Sequence, residues 1–204
     1  MMLNNTDSWN VIISSDDILN FIVYIGCTYG LIDNKKYSGK ESLWPPRSLD
    51  TEANIEQWEQ WEEWFKEIVR LKVERINAGK HPNTISEEFT PPEFSNVKCH
   101  LLKEYCKEAW PKFQEWWYMM AGGKNALAFI EKIVGNKIFD YVNEVEGMLG
   151  RKLKPFKLYI DLLYTGVNET IDININNQYI IITSNPISNF DKEWWVKKLY
   201  EMGK

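Results

Sequence analysis

Residues 156–183, FKLYIDLLYTGVNETIDININNQYIIIT, decide the fold class. Phe156 to Tyr164 is apolar and β-prone, and Ile171-Asp172-Ile173-Asn174-Ile175 alternates strictly between apolar and polar side chains, the period of a half-buried strand. Asn176-Asn177 then stands where a two-residue turn would join that strand to Tyr179-Ile180-Ile181-Ile182. The pattern predicts a small antiparallel β-hairpin or three-stranded sheet. Asn189 or Asp191 offers an N-cap to a closing helix, FDKEWWVKKLYEMG, whose lysines lie in the later turns, where the helix dipole favours positive charge.

Toward the N-terminus the chain reads as helical. Residues 124–149 form one helix or two, loosened at Gly135-Asn136, and the helix before them opens at Pro111 and ends at Gly122-Gly123. A separate helix over 96–109 is expected to stop at Trp110-Pro111, because proline disfavours helical geometry in the residue ahead of it. The longest helix is expected over 51–78, started by Asp50 or Thr51 and ended by Asn77-Ala78-Gly79. A helix over 16–30 follows the capping run Ser14-Ser15-Asp16-Asp17, and Trp9 to Ile13 reads as a short strand. Loops take residues 33–50, anchored by Trp44, and 80–95. The expectation is therefore an α+β fold in one globular domain, 1–204: a mostly helical body of five or six helices over about 14–149, then the antiparallel hairpin or three-stranded sheet and the C-terminal helix over about 153–203.

Composition narrows the function classes. A chain of 204 residues, 44% hydrophobic and 26% charged, can bury a sizeable core, and it falls outside disordered and collagen-like compositions. Twenty-nine acidic against 24 basic side chains repel a polyphosphate at long range, so nucleic acid is not an expected partner. The acidity is concentrated in residues 1–100, which hold 16 acidic and 10 basic side chains. Met1 to Asn10 has no Lys or Arg, and the most apolar stretch, Ile18 to Ile32, is 15 residues long, short of the roughly 20 a bilayer span needs. Three cysteines, Cys27, Cys99 and Cys106, make no disulfide framework and point to a reducing cytoplasm.

The chemical candidates are weak. Cys99 and Cys106 share a helical face but sit about 10 Å apart along it, too far for a disulfide and awkward for one zinc ion. Cys27, in Gly26-Cys27-Thr28-Tyr29-Gly30, lies in an apolar helix rather than at a strand-to-helix elbow, and the chain has two histidines, His81 and His100, to serve as a base. Asp161, Asp172 and Asn174 read as outward polar residues of a half-exposed strand. The basic run Arg151 to Lys157 reads as a solvated helix-to-strand connection. No HExxH, GxGxxG or GxxxxGK[ST] pattern exists to hold a metal or a phosphate. No cofactor and no metal site is expected.

What stands out is tryptophan, ten of them. Trp58, Trp61 and Trp64 recur every three residues on the longest helix, while Trp116-Trp117 and Trp194-Trp195 are adjacent pairs. Adjacent residues point about 100° apart on a helix, so one of each pair must flank the packing surface. The longest helix has an apolar arc covering half its circumference or more, opposite a stripe of Glu56, Glu59, Glu63, Glu67 and Glu74. Lys72 falls inside that arc and must snorkel or meet a partner. One reading places this helix at the centre of a tryptophan-filled core.

The functional reading makes Trp58, Trp61, Trp64, Lys72, Trp116, Trp117, Trp194 and Trp195 a partner-binding surface, since Trp, Tyr and Arg dominate protein interfaces. The function expected is a non-catalytic cytoplasmic protein-binding module, an inhibitor, immunity-type or adaptor protein. Its partner would be another protein with a basic or apolar surface, a homo-oligomer being compatible with this. Two alternatives stand beside it: a hydrolase or transferase with a scattered active site using a carboxylate or Cys27, and a small-molecule or sugar binder that stacks ligands on Trp.

Overall fold

The structure, a computed structural model, describes residues 2–5, 9–32, 45, 53–82, 91–164, 170–171, 178–183 and 192–204. The chain divides into two compact units. A sheet unit takes Met1–Ser15, Lys124–Leu163 and Asn168–Lys204, and a helical unit takes Asp16–Gly123 and Tyr164–Val167.

The sheet unit contains β1 (Met2–Asn5), β2 (Trp9–Ser14), β3 (Phe156–Leu163), β4 (Thr170–Ile171) and β5 (Tyr179–Thr183), in the order β1-β2-β3-β5-β4. Its centre is parallel: β2 runs beside β3 with Trp9 opposite Phe156 and Ser14 opposite Asp161, and β3 runs beside β5 with Tyr159 opposite Tyr179. Antiparallel pairing is confined to the edges, β1 with β2 and β4 with β5. This corrects the expectation of an antiparallel hairpin or three-stranded sheet. The physical reason lies in β3, where Leu158 to Leu163 are buried without a break. A strand apolar on both faces is a central strand and needs a neighbour on each side. The N-terminal β2 supplies one and β5 the other, so the sheet draws on both ends of the chain. The Asn176-Asn177 turn, Asp172 and Asn174 lie outside the described residues, as do the Asn189 and Asp191 caps.

Two helices complete this unit. Helix α4 (Gly123–Leu149) runs unbroken through Gly135-Asn136. It buries Leu127, Val134, Ile138, Tyr141, Val142 and Val145, which recur at helical spacing. That single apolar stripe carries the helix past the glycine. Phe139 of α4 meets Trp9 of β2 edge-on, with ring centroids 5.3 Å apart. Helix α5 (Lys192–Gly203) encloses Trp195 and Leu199 and is joined to α4 by the Lys192–Glu144 ion pair of 2.8 Å.

The helical unit is built from α1 (Asp17–Thr28), α2 (Ile55–Asn77) and α3 (His100–Tyr118). Helix α2 starts at a capping box: Asn54 Oδ1 accepts from the Gln57 N–H at 2.8 Å and Gln57 Oε1 accepts from the Asn54 N–H at 2.9 Å. Asp50, Thr51 and Trp44 lie outside the described residues. The expected break at Trp110-Pro111 does not occur, because α3 passes through Pro111 as one helix. Proline removes one backbone donor there, but Leu102, Cys106, Ala109, Phe113 and Trp117 form one buried face on both sides of it. Tertiary packing outweighs the local preference.

Most of the indoles of this unit belong to one aromatic core. Phe21 of α1 is its hub, with Trp110 at 4.8 Å, Phe113 at 5.2 Å, Phe94 at 5.5 Å and Trp64 at 6.4 Å between centroids. Each well-placed aromatic pair contributes about 0.5–1.5 kcal/mol beyond the area it buries. Phe94 sits at φ 50°, a left-handed backbone that a bulky residue adopts only under constraint. Its fully buried ring, stacked on Phe21, supplies that constraint.

Candidate functional site

Helix α2 has two kinds of surface. Its inner side carries Ile68, Val69, Val73 and Ile76, all buried. Its outer side carries exposed Glu56, Glu59, Glu63, Glu67 and Glu74. Lys66 is paired with Glu62 at 3.0 Å, and Arg70 is held by Glu67 at 2.6 Å and by Glu74. The Arg70 hydrogen bond holds the Glu67 carboxyl below its ordinary range. Exposed ion pairs of this kind contribute at most about 1 kcal/mol each, so their main effect is to fix where charge sits on the helix.

Between these surfaces runs a groove of about 520 Å³. From α2 it is lined by Gln60, Glu63, Trp64, Lys66, Glu67, Ile68, Arg70 and Leu71, and from the facing segment by Asn96, Val97 and Lys98. Two contacts set the facing wall: the Val97 N–H donates to the Phe94 carbonyl at 3.0 Å, and the Cys99 N–H donates to Gln60 Oε1. The buried Phe94 ring thus anchors one side of the groove and α2 forms the other. Trp64 contributes to both the groove and the aromatic core.

The residues singled out from the sequence are distributed unevenly. On α2, Trp58 is 40% exposed. Trp61 is half-buried, donating its indole N–H to the Ile22 carbonyl at 2.8 Å and lying against Gly26, where an added Cβ would sit 2.7 Å from the indole. Trp64 is half-buried on the groove. Lys72 is 0% exposed, with its ammonium 3.0 Å from Asp16 Oδ2. On α3, Trp117 is enclosed and donates to Asp17 Oδ1 at 2.9 Å, while Trp116 is half-buried among Tyr24, Phe113 and Tyr164. Trp194 and Trp195 belong to the sheet unit, where Trp195 is enclosed and Trp194 half-buried, with rings perpendicular at 4.9 Å. One member of each adjacent pair is enclosed and the other flanks it, as the 100° step along a helix requires. Lys72, Trp117 and Trp195 present no surface, and of the eight residues Trp58 is the most open.

Gln60, Leu71 and Asn96 to Lys98 were not foreseen. The facing wall, Asn96 to Lys98, falls in the first turn of the helix expected over 96–109, but α3 starts only at His100, and the wall's approach to α2 is a contact between residues nearly forty positions apart that no local pattern encodes.

The chemical candidates are also placed. Cys27, Cys99 and Cys106 are free and buried. Burial pushes the Cys27 thiol up to about 12 and raises Cys106 as well, so both are protonated at neutral pH, whereas a nucleophile needs the thiolate. Gly26, in the stretch around Cys27, makes room for Trp61 and Ile32. Asp161 was expected to face outward; it is 1% exposed, accepting from Ser14 Oγ at 2.7 Å and Tyr179 Oη at 2.6 Å. Among the described residues no group of three His, Cys, Asp or Glu could hold a metal ion. Among them, too, no helix is long and apolar enough to cross a membrane. Comparison with protein-family models, with curated proteins and with solved structures gave no match to this chain.

Proposed function

We infer that this protein is a non-catalytic, cytoplasmic protein-binding module whose contact face is the outer side of α2. One observation carries the reading: α2 bears a groove about 520 Å³ in volume lined by the indole of Trp64 and, on another face, an exposed indole, Trp58, while Trp117 of α3 is enclosed in the core. A half-buried tryptophan, Trp64, lining a partly apolar cleft rimmed by charges held in pairs is the arrangement of an interface anchor with a polar rim, and Trp58 adds an exposed indole on another face of the same helix. The cytoplasmic assignment is supported by three buried, unpaired thiols. The protonated state of the Cys27 and Cys106 thiols argues for binding over thiol catalysis.

The test is capture from an extract of the protein's own source, comparing the full chain with Trp58→Ala. The expected result is a protein that co-purifies with the unchanged chain and is lost with Trp58→Ala, while the two melting temperatures agree within a few degrees. Capture that is insensitive to Trp58, or turnover of a metabolite by the purified chain, contradicts the reading.

A further inference from the structure

We propose that the turn joining α3 to α4 is a site of reversible oxidation, where a hydroperoxide converts the Met120 thioether to its sulfoxide ahead of every other sulfur among the described side chains. Met119 caps the end of α3, donating its N–H to the Glu115 carbonyl at 3.1 Å and accepting the Gly122 N–H at 2.9 Å. These bonds close a four-residue turn from Met119 to Gly122. Its inner side is filled: a Cβ on Gly122 would stand 1.9 Å from the Trp116 carbonyl oxygen, and one on Gly123 would stand 2.5 Å from the Trp116 ring and 2.6 Å from the Trp117 ring. With both glycines closed in against this wall, the middle of the turn faces water. Met120 is 93% exposed, and Ala121 beside it is exposed as well.

The cysteines are the natural competitors for an oxidant, and the fold withdraws all three. Cys27, Cys99 and Cys106 are buried, and burial holds Cys27 and Cys106 protonated at neutral pH, whereas the thiolate is the reactive form. A thioether has no proton to lose, so access governs its rate. Among the described methionine side chains Met148 is 63% exposed, Met119 48%, and Met202 half-buried. Met120 therefore comes first by access, with Met148 behind it.

The step needs only the hydroperoxide. A sulfur lone pair attacks one peroxide oxygen, and the S–O bond forms as the O–O bond breaks. The departing oxygen keeps the bond's electron pair, takes a proton and leaves as water or alcohol. Sulfur is oxidised by two electrons and the peroxide is reduced by two. The apex of the turn, flanked by exposed Tyr118 and Met119, changes from apolar to polar. A methionine sulfoxide reductase supplied with a thiol reductant reverses the change, the oxygen leaving as water while two thiols become a disulfide.

The test treats the full chain with hydrogen peroxide and follows each methionine and cysteine by peptide mass spectrometry. Met120 sulfoxide should form within about twofold of the rate for a blocked methionine amide, and Met202 sulfoxide at least about fivefold more slowly. In strong denaturant the rates of Met119, Met120, Met148 and Met202 should converge, because the fold alone separates them. Met120→Leu should remove the fastest phase, leave the other rates unchanged and keep the melting temperature within a few degrees. Treatment of the oxidised chain with the two reductases, one for each sulfoxide epimer, should restore Met120. Oxidation of any cysteine, or of Met119, Met148 or Met202, ahead of Met120 overturns the proposal. So does a Met120 rate far below that of the amide, an order of rates that survives denaturant, or a Met120 sulfoxide that both reductases leave untouched.

Discussion

Lys72 Nζ lies 3.0 Å from Asp16 Oδ2 inside the helical unit, with the lysine wholly enclosed and the carboxylate nearly so. Asp16 also caps α1 by accepting the Leu19 N–H on Oδ1 at 2.8 Å. The next residue, Asp17, accepts from the Trp117 indole and the Tyr118 hydroxyl of α3. Two consecutive aspartates at the head of α1 therefore tie α2 and α3 to it, one by charge and the other by aromatic donors.

Removing one partner of that buried pair leaves the other without its counter-charge. Lys72→Met should destabilise by about 3–5 kcal/mol, and the Asp16→Asn, Lys72→Met double variant, which keeps a capping oxygen, should lose less than the two single changes combined. Denaturant midpoints of the four proteins decide this. A loss below about 1 kcal/mol for Lys72→Met would show that the pair is not closed in solution.

Gly26→Ala should cost about 1–3 kcal/mol, because the new Cβ would stand 2.7 Å from both Trp61 and Ile32. Its tryptophan emission should change with it, since Trp61 must move. Unchanged stability and emission would mean that Trp61 does not pack on α1 as described.

Alkaline pH should unfold the protein. Burial raises Cys27 from 9.0 to about 12, and raises Tyr24 in the same direction. These groups are neutral in both states below their unfolded values. Above those values the unfolded chain loses its protons first, so stability is complete below about pH 9 and falls as pH rises toward 12. Folding equilibria followed over this range should show the fall, and Cys27 should react with a thiol reagent only as fast as the protein opens. Rapid labelling of Cys27 at pH 7 would contradict its burial.

In the sheet unit, Asp161→Ala should cost about 1–3 kcal/mol, since it removes the shared acceptor of two hydroxyl donors. Tyr179→Phe and Ser14→Ala should each cost less. Equal stability of Asp161→Ala and the parent in thermal melts would rule out this buried cluster.

Much of the helical content could be read from the chain because helices are local: caps, periodicity and glycine stops place α1, α2 and α4 within a few residues. The sheet could not. Its order depends on β2 meeting β3 across more than a hundred residues, and the uninterrupted burial of β3 marks the centre, which the alternation of Ile171–Ile175 does not reveal. Pro111 misled for a related reason, since a local rule yielded to a face buried on both sides of it. At the candidate site, tryptophan spacing pointed to α2, but only coordinates separate open Trp58 from enclosed Trp117 and Trp195. Lys72 was recognised as out of place; its partner, Asp16, lies on another helix and no spacing connects them.

The binding face itself is tested most directly by amide hydrogen exchange on the full chain, alone and bound to a captured partner. Exchange should slow in peptides covering 55–71 and 96–98 and stay unchanged over the α5 helix. Protection that leaves α2 untouched and appears elsewhere would contradict the assignment of α2 as the contact face.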